Sequence, residues 1–94
     1  MKGGHPFGVV EVALAPGAIN WPYHSHTRLW EMYLILRGTG KARTPRGWTR
    51  VAPGDCFMHP PREPHQLKNT GKKELAYLVI CDRAPRDRTR IHSG

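Results

Sequence analysis

The sequence predicts an all-β domain, either a sandwich or a barrel made of short strands. β-rich runs alternate with Gly and Pro along the chain, and no run of about ten residues combines a helical period with capping residues. The nine prolines favour the same class, because a proline inside a helix removes a backbone donor and clashes with the preceding turn. A chain of 94 residues has room for one such domain.

The predicted strands follow one another between these turn residues. They are Phe7 to Leu14, Tyr23 to Arg28, Trp30 to Leu36, Lys41 to Thr44, Trp48 to Val51, Asp55 to His59, His65 to Lys68 and Glu74 to Cys81. The fourth and fifth runs form a hairpin around Pro45-Arg46-Gly47. Two stretches, Met32 to Leu36 and Leu75 to Cys81, are apolar without clear alternation, which predicts strands covered on both faces.

The end of the chain differs in composition from the rest. We expect the domain to span residues 1–82 and a basic tail to follow at residues 83–94. The tail has no apolar period, and its arginines are Arg83, Arg86, Arg88 and Arg90. Because such a segment cannot bury enough apolar surface to offset the entropy of ordering, we expect it to be solvated and poorly ordered.

The formal net charge of +8 is large for this length. It can serve nucleic acid, an acidic surface or an anionic small molecule. The sequence has no RNA-binding aromatic signature, zinc-finger spacing or helix-turn-helix pattern, so we do not expect nucleic acid as a partner. No stretch approaches the roughly 20 apolar residues of a membrane span, and Met1 to His5 lacks the apolar core of a signal peptide. We therefore expect a cytoplasmic protein without a membrane partner.

A domain this small needs stabilisation beyond its own core, because it buries only about 60–65% of its unfolded surface. Cys56 and Cys81 are far apart, and each lies in an apolar run, so we expect reduced, buried thiols and no disulfide. The remaining sources of stability are a metal ion, a partner subunit or both. We expect a homodimer in which Phe7 to Leu14 pairs with the partner's sheet.

Three histidines and one glutamate form a candidate metal-binding set in the sequence. His24 and His26 lie two residues apart in a β-type run, so both imidazoles project from one face of the strand. Glu31 begins the next apolar run and can fold back as an oxygen ligand, and His65 opens a later strand. Three imidazoles and one carboxylate suit one divalent Mn, Fe, Co, Ni, Cu or Zn ion better than Ca or Mg.

The spacing of these residues resembles the two motifs of the cupin superfamily. Gly17-(six residues)-His24-Ser25-His26-(four residues)-Glu31-(six residues)-Gly38 is similar to the first motif. Gly54-(five residues)-Pro60-Pro61-Arg62-(two residues)-His65-(three residues)-Asn69 is similar to the second. Together they cover roughly Val9 to Asp82. Two positions depart from the pattern: Gly17 is one residue further from His24 than usual, and Arg62 replaces the usual glycine.

The resemblance implies a small single-domain bacterial cupin, with a conical double-stranded antiparallel barrel, also called a double-stranded β-helix or jelly roll. It implies that His24, His26, Glu31 and His65 bind one metal ion inside the barrel, and that the protein is often dimeric. The longer spacing after Gly17 predicts a longer turn at Asn20-Trp21-Pro22. If the Arg62 position requires a positive φ, the arginine is strained or the turn differs, which affects the approach of His65.

Several further residues are candidates for the cavity. Tyr33 and Ile35 share the parity of Glu31, so they face the cavity if Glu31 does. Tyr33 is then either part of the cavity wall or a hydrogen-bond donor beside the ligands. The sequence leaves the facing of Tyr77 undecided.

Other polar and aromatic residues have more than one interpretation. We expect structural roles for His59 and for Asn69, which ends a strand. Residues that could meet an anionic substrate at the mouth, or be ordinary surface residues, are Arg28, Trp30 and Arg62. His5 and His92 lie in terminal segments, and we expect them to be exposed to solvent.

Fold and metal site do not fix a reaction. We expect a metal-dependent enzyme acting on a small polar or anionic molecule, with a dioxygenase slightly favoured over an isomerase or lyase. The ligand set leaves adjacent coordination positions free for substrate and dioxygen, or for one bidentate hydroxy-carbonyl substrate. A module that binds a small ligand without turnover is the main alternative. A sensory domain is disfavoured, because such domains usually accompany a helix-turn-helix segment.

Overall fold

The computed structural model describes residues 6–93. Within that range the chain forms strands, turns and no helix, so no helical segment there could cross a membrane. The strands are β1 Phe7–Leu14, β2 His24–His26, β3 Glu31–Arg37, β4 Gly40–Thr44, β5 Gly47–Val51, β6 Cys56–His59, β7 Gln66–Asn69, β8 Leu75–Asp82 and β9 Thr89–Ile91. The prediction of an all-β domain is confirmed.

The strands form two facing layers. One layer is an antiparallel sheet in the order β1-β8-β3-β6. The other contains the sheet β5-β4-β7 and the ribbon β2-β9, which two isolated antiparallel bridges connect to the β7 side. These bridges pair Ile19 with Lys68 and His24 with His65. The second layer therefore continues from β7 through the start of β2 to the C-terminal strand.

The core lies between these layers. It consists of Leu14, Tyr33, Ile35, Ala42, Val51, Leu67, Leu75 and Tyr77. On β3, Glu31, Tyr33 and Ile35 are buried, whereas Met32 and Leu34 are only partly buried and Leu36 is exposed, so this strand alternates after all as far as Ile35. The prediction that β3 is covered on both faces is therefore wrong for the single chain, since Met32 and Leu34 face outward from the layer.

Glycines with positive φ close the turns that position the site. Gly17, Gly38 and Gly54, the glycines of the two motifs, have φ values of 82°, 82° and 91°. A Cβ atom at Gly38 would lie 2.3 Å from the carbonyl oxygen of Glu74, so this turn admits only glycine. Arg62 occupies the position where the second motif usually has a glycine, and it also has a positive φ, of 71°. The turn is therefore the expected one, and the arginine is the strained residue in it.

Two expectations about burial and order differ from the structure. Both cysteines are free, as predicted, but neither is fully buried. Cys81 is partly buried, and Cys56 is exposed because it points outward from the edge strand β6. The tail is also not wholly solvated, since β9 pairs with β2 through the register His24↔Ile91, Ser25↔Arg90 and His26↔Thr89. Backbone hydrogen bonds of this kind require no apolar period in the sequence.

Candidate metal centre

The structure brings together the four residues that the motifs predict as ligands. His24 and His26 lie on β2, Glu31 begins β3, and His65 precedes β7. One potential ligand atom from each residue lies within 4.8 Å of those from the others, so the group could hold a metal ion. The four residues come from both layers, and an ion bound here would connect them.

Strand pairing explains why the three imidazoles meet. His24 and His26 are separated by one residue of β2, so both side chains leave the same face. His65 faces His24 in an antiparallel bridge, with His65 N–H donating to His24 O at 2.7 Å and His24 N–H donating to His65 O at 3.2 Å. Directly opposite residues in such a pair share a face, and the two ring centroids are 4.4 Å apart.

Each imidazole is oriented by an acceptor at its Nδ1 atom. His24 Nδ1 donates to the carbonyl of Pro22 at 2.7 Å, and His65 Nδ1 donates to that of Glu63 at 3.0 Å. His26 Nδ1 lies 3.0 Å from Oδ2 of Asp87. Because carbonyls and carboxylates only accept, the proton of each neutral ring sits on Nδ1. Nε2 is then free to bind a metal, which is the usual arrangement around metal-ligating histidines.

The carboxylate of Glu31 lies close to two of these Nε2 atoms. Its Oε1 atom lies 2.9 Å from His65 Nε2 and 3.3 Å from His26 Nε2. Burial raises the pKa of Glu31, but the hydrogen bonds that His26 and His65 donate when a proton occupies Nε2 in place of a metal ion outweigh that effect and lower the pKa to about 2. Glu31 is therefore a carboxylate at any physiological pH.

This arrangement fits a divalent cation. With a proton on Nδ1, a neutral His65 turns a lone pair toward a carboxylate oxygen only 2.9 Å away. Two acceptors at that distance repel each other unless a proton or a metal ion lies between them. Three nitrogen donors and one oxygen donor are a set that suits first-row transition metals.

The pKa values of the two histidines of β2 shift in opposite directions. The hydrogen bond with Glu31 raises the pKa of His26, and Asp87 adds to this effect. Burial lowers the pKa of His24, and the neighbouring His65 lowers it further. Without a metal ion, a proton therefore binds at His26 more readily than at His24.

A cavity of about 310 Å³ opens above the four residues. Besides His24, His26 and Glu31, its lining consists of Val12, Asn20, Trp21, Tyr33, Tyr77 and Thr89. Tyr33 faces the cavity as its parity with Glu31 predicts, and Tyr77 faces it as well. Asn20 donates from Nδ2 to the hydroxyl of Tyr33 at 3.3 Å. Burial raises the pKa of Tyr77 to about 12 and that of Tyr33 well above its usual value, so both phenols are neutral.

His59 lies behind the centre and is 2% exposed. Its ring stacks on His65 with centroids 4.0 Å apart and an interplanar angle of 5°. Its Nδ1 atom has no hydrogen-bond partner and lies 3.6 Å from Oε1 of Glu63. Burial and the adjacent His65 lower its pKa to about 3, so the ring is neutral. The ring of His59 packs against that of His65. That this contact is the function of His59 stays a prediction.

The basic and aromatic candidates for the mouth lie elsewhere. Arg28, Trp30 and Arg62 do not line the cavity above the four residues. Arg62 lines a separate cavity of about 220 Å³ with Ser25, Arg90 and others, among them the proposed ligand His26. Of the two interpretations that the sequence left open for Arg28, Trp30 and Arg62, the lining of the larger cavity gives no support to contact with a substrate there.

Predictions for three other polar residues have different outcomes. Asn69 ends β7 and is fully buried, donating to the carbonyls of Leu14 and Lys73, which confirms a structural role. His92 is not the exposed residue we expected, because its Nε2 atom lies 2.7 Å from Ser25 Oγ at the end of the β2–β9 ribbon. His5 lies outside the described residues.

Sequence reasoning missed some residues of the site. Asn20 and Trp21 belong to the longer turn that the Gly17 spacing predicted, but nothing in the spacing indicated that they line the cavity. Asp87 and Thr89 belong to the tail that we expected to be solvated. An acidic residue in an otherwise basic segment was the one available signal for Asp87.

The chain belongs to the cupin family. The family model described as "Cupin domain" matches residues 10–81, which contain both motifs. No curated protein sequence matches the chain.

Solved structures share the fold over nearly the whole chain. A sugar phosphate isomerase of the cupin superfamily from Silicibacter pomeroyi is 28% identical, with a TM-score of 0.89 over 98% of this chain and 60% of that chain. A protein from Acidithiobacillus ferrooxidans, provisionally named a sugar phosphate isomerase, is 28% identical, with a TM-score of 0.85 over 94% of this chain and 57% of that chain. A Thermotoga maritima protein predicted to be an oxalate decarboxylase is 26% identical, with a TM-score of 0.76 over 81% and 65%. The chain spans less than two thirds of each of these proteins.

Proposed function

We propose that this chain is a metal-dependent enzyme that binds one divalent transition metal through His24, His26, Glu31 and His65 and isomerises a small hydroxy-carbonyl compound. The observation that carries the proposal is the orientation of the three imidazoles. Each ring has its Nδ1 atom beside an acceptor and its Nε2 atom free to bind an ion below the cavity. Such orientation is the usual requirement for a preformed metal centre.

The cavity lining supports a substrate rich in hydroxyl groups. Apart from the proposed ligands His24, His26 and Glu31, its polar residues are Asn20, Tyr33, Tyr77 and Thr89, which are neutral donors and acceptors. Trp21 adds an exposed aromatic face beside them. Because no arginine or lysine lines the described cavity, a negative group on the substrate would have to bind the metal or extend to the mouth. The net charge of +8 would raise the local concentration of anionic substrates, and added salt would reduce this effect.

The comparisons support isomerisation ahead of oxidation, whereas the sequence alone had slightly favoured a dioxygenase. Two of the similar structures are named, one of them provisionally, as sugar phosphate isomerases, at 28% identity over almost all of this chain. In an exchange between an aldose and a ketose, one hydrogen moves between neighbouring carbons and another between their oxygens. The reaction therefore needs neither an oxidant nor a reductant.

The chain's own residues have definable roles in such a reaction. A bound divalent ion would polarise the substrate carbonyl as a Lewis acid. Once the four ligands are engaged, Tyr33 and Tyr77 are the remaining ionisable groups of the described lining. Their neutral hydroxyls can hold the substrate oxygens and relay protons, while Asn20 fixes the position of the Tyr33 hydroxyl. We infer that Tyr33 is the residue that contacts the reacting atoms.

The experiment loads the protein anaerobically with Mn(II), Zn(II) or Fe(II) and follows a panel of sugars, sugar phosphates and keto acids by NMR. We expect interconversion that stops when a chelator is added. Tyr33→Phe should lower kcat by about 100-fold or more, the ordinary range for loss of a proton-transfer group, without changing the metal content. Tyr23→Phe is the matched control, because Tyr23 lies outside the cavity lining and packs under Arg43.

Oxidation by dioxygen is the second candidate, supported by the three nitrogen donors and one oxygen donor, which suit a redox-active ion with adjacent open positions. Its test adds oxygen to the Fe(II)-loaded protein with hydroxy acids, thiols and catechols. Oxygen consumption above that of free iron, without anaerobic isomerisation, would replace the first proposal by this one. If neither reaction occurs and sugars only raise the melting temperature, the chain is a binding module.

A further inference from the structure

His26 differs from the other two histidines in the source of its Nδ1 partner. His24 and His65 bond to carbonyls of residues two positions earlier in the chain. Their orientation is therefore fixed by the local turn. His26 Nδ1 instead faces two side chains of the C-terminal segment, Asp87 Oδ2 at 3.0 Å, 61 residues further along, and Thr89 Oγ1 at 3.3 Å. The hydroxyl of Thr89 can donate or accept, so only the carboxylate of Asp87 fixes the position of the ring proton.

Asp87 is held rigidly in place. Its Oδ1 atom accepts the backbone N–H groups of Arg28 and Leu29, each at 2.8 Å, and its Oδ2 atom lies 3.0 Å from His26 Nδ1. The side chain is 16% exposed. Since both carboxylate oxygens act as acceptors, this geometry requires the proton of neutral His26 to sit on Nδ1.

The segment that follows Asp87 is anchored by hydrogen bonds to β2 and the residues next to it. Arg88 O accepts the N–H of Thr27 at 2.9 Å, and Arg88 N–H donates to Thr27 Oγ1 at 2.9 Å. Strand β9 then pairs with β2, and His92 N–H donates to Tyr23 O at 2.7 Å. The position of Asp87 relative to His26 is thus set by a continuous run of main-chain bonds.

We propose that residues 87–92 form part of the metal centre, with Asp87 as the positioning residue that holds His26 with its Nε2 atom ready to bind the ion. This inference rests on the proposed metal-binding function. The family model ends at residue 81, so Asp87 lies outside the range that it matches. A carboxylate behind a metal-ligating histidine fixes its tautomer and strengthens the nitrogen donor, and its loss typically weakens metal affinity by about 10- to 100-fold.

Asp87→Asn is the decisive variant, because asparagine has one acceptor oxygen where the site needs two. If that oxygen keeps the N–H groups of Arg28 and Leu29, the amide NH₂ faces His26 Nδ1 and moves the ring proton to Nε2. We expect Zn(II) and Co(II) affinity, measured by competition with a chromophoric chelator, to fall by about 10- to 100-fold. The visible spectrum of the Co(II) protein should change as well.

Asp82→Asn is the matched control. Asp82 Oδ1 also accepts a backbone N–H, that of Trp30 at 3.0 Å, but it contacts none of the four proposed ligands. We expect this variant to keep the Co(II) spectrum and to bind both ions within about twofold of the original protein. Equal losses of affinity in the two variants would overturn the proposal, because they would show only a general weakening of the C-terminal segment.

A measurement on the metal-free protein separates this inference from the proposed function. Long-range ¹H–¹⁵N NMR of the imidazoles should show the neutral His26 ring protonated at Nδ1 in the original protein and shifted toward Nε2 in Asp87→Asn. If the original protein binds no metal, the proposed function fails, while the NMR result still tests Asp87. A His26 protonated at Nε2 in the original protein would overturn the inference, even if Asp87→Asn fails to fold.

Discussion

Arg62 shows how a single residue can satisfy the geometry of a motif without its usual amino acid. Its φ of 71° lies in the left-handed region, where a Cβ atom costs about 1–2 kcal/mol. Its N–H donates to the carbonyl of His26 at 2.6 Å, so the turn is tied to the main chain of a proposed ligand. The sequence left open whether the arginine is strained or the turn differs, and the φ of Arg62 favours the first alternative.

We expect Arg62→Gly to be more stable than Arg62→Ala by about 1 kcal/mol in urea unfolding. Both variants remove the guanidinium group, so their difference isolates the cost of a Cβ atom at positive φ. The Arg62 N–H bond to His26 is kept in both, and metal content should not change. Equal stability of the two variants would show that the turn relaxes to another conformation.

The meeting of the four proposed ligand residues was predictable from sequence, because spacing on a strand determines the face of each side chain and the two motifs add Glu31 and His65 to the pair on β2. The partners of their Nδ1 atoms were not predictable in the same way. Pro22 and Glu63 act through carbonyls, which every residue has, and Asp87 lies on a segment with no apolar pattern. The unpartnered Nδ1 of His59 likewise depends on packing against His65 that no local pattern encodes.

At the scale of elements, β2 has only three residues and still carries two of the proposed ligands. It is held by the bridge to His65 on one edge and by β9 on the other. Gly and Pro located the first eight strands, because turns need residues of special conformation. They did not locate β9, since its pairing with β2 uses main-chain groups and its three residues, Thr89 to Ile91, are all exposed.

We expect His26→Ala and His65→Ala each to lower metal content and melting temperature, because an ion that binds only the folded state stabilises it. At a metal concentration 100 times the dissociation constant this is worth about 2.7 kcal/mol. His5→Ala, outside the described residues, should change neither property. Elemental analysis and thermal unfolding check this prediction.

Melting each variant again with excess chelator distinguishes metal loss from packing loss. His26 is less buried than His65, so the difference between His26→Ala and the original protein should become much smaller without metal, leaving only the contribution of its contacts with Glu31 and Asp87. His65 is 1% exposed, so His65→Ala should keep a residual deficit from the cavity it leaves. Undiminished differences for His26→Ala in chelator would contradict a metal-based effect.

At the scale of the whole molecule, the outer face of the four-stranded sheet is apolar. Register places Val9 of β1, Ile80 of β8, Met32 of β3 and Met58 of β6 in one row across the sheet, and opposite residues share a face. Val9 and Met58 are 47% and 50% exposed, and Phe7, further along β1, is 55% exposed. Met32 and Leu34 of β3, which the sequence predicted to be covered, are only partly buried because they belong to this face.

We predict that a second copy of the chain covers this face, with β1 against the partner's sheet as the sequence suggested. β1 is an edge strand of its sheet, and both its free edge and its apolar face favour association. Light scattering on a gel-filtration column should therefore give about twice the chain mass of 10.7 kDa at micromolar concentration.

Val9→Lys and Met58→Lys should shift the protein to the monomer without unfolding it, since both side chains are already half exposed. Trp48→Lys is the matched control, because Trp48 is 47% exposed on β5 in the other layer and should leave the dimer intact. A protein that elutes as a 10.7 kDa monomer would contradict the prediction and leave this apolar face uncovered in solution.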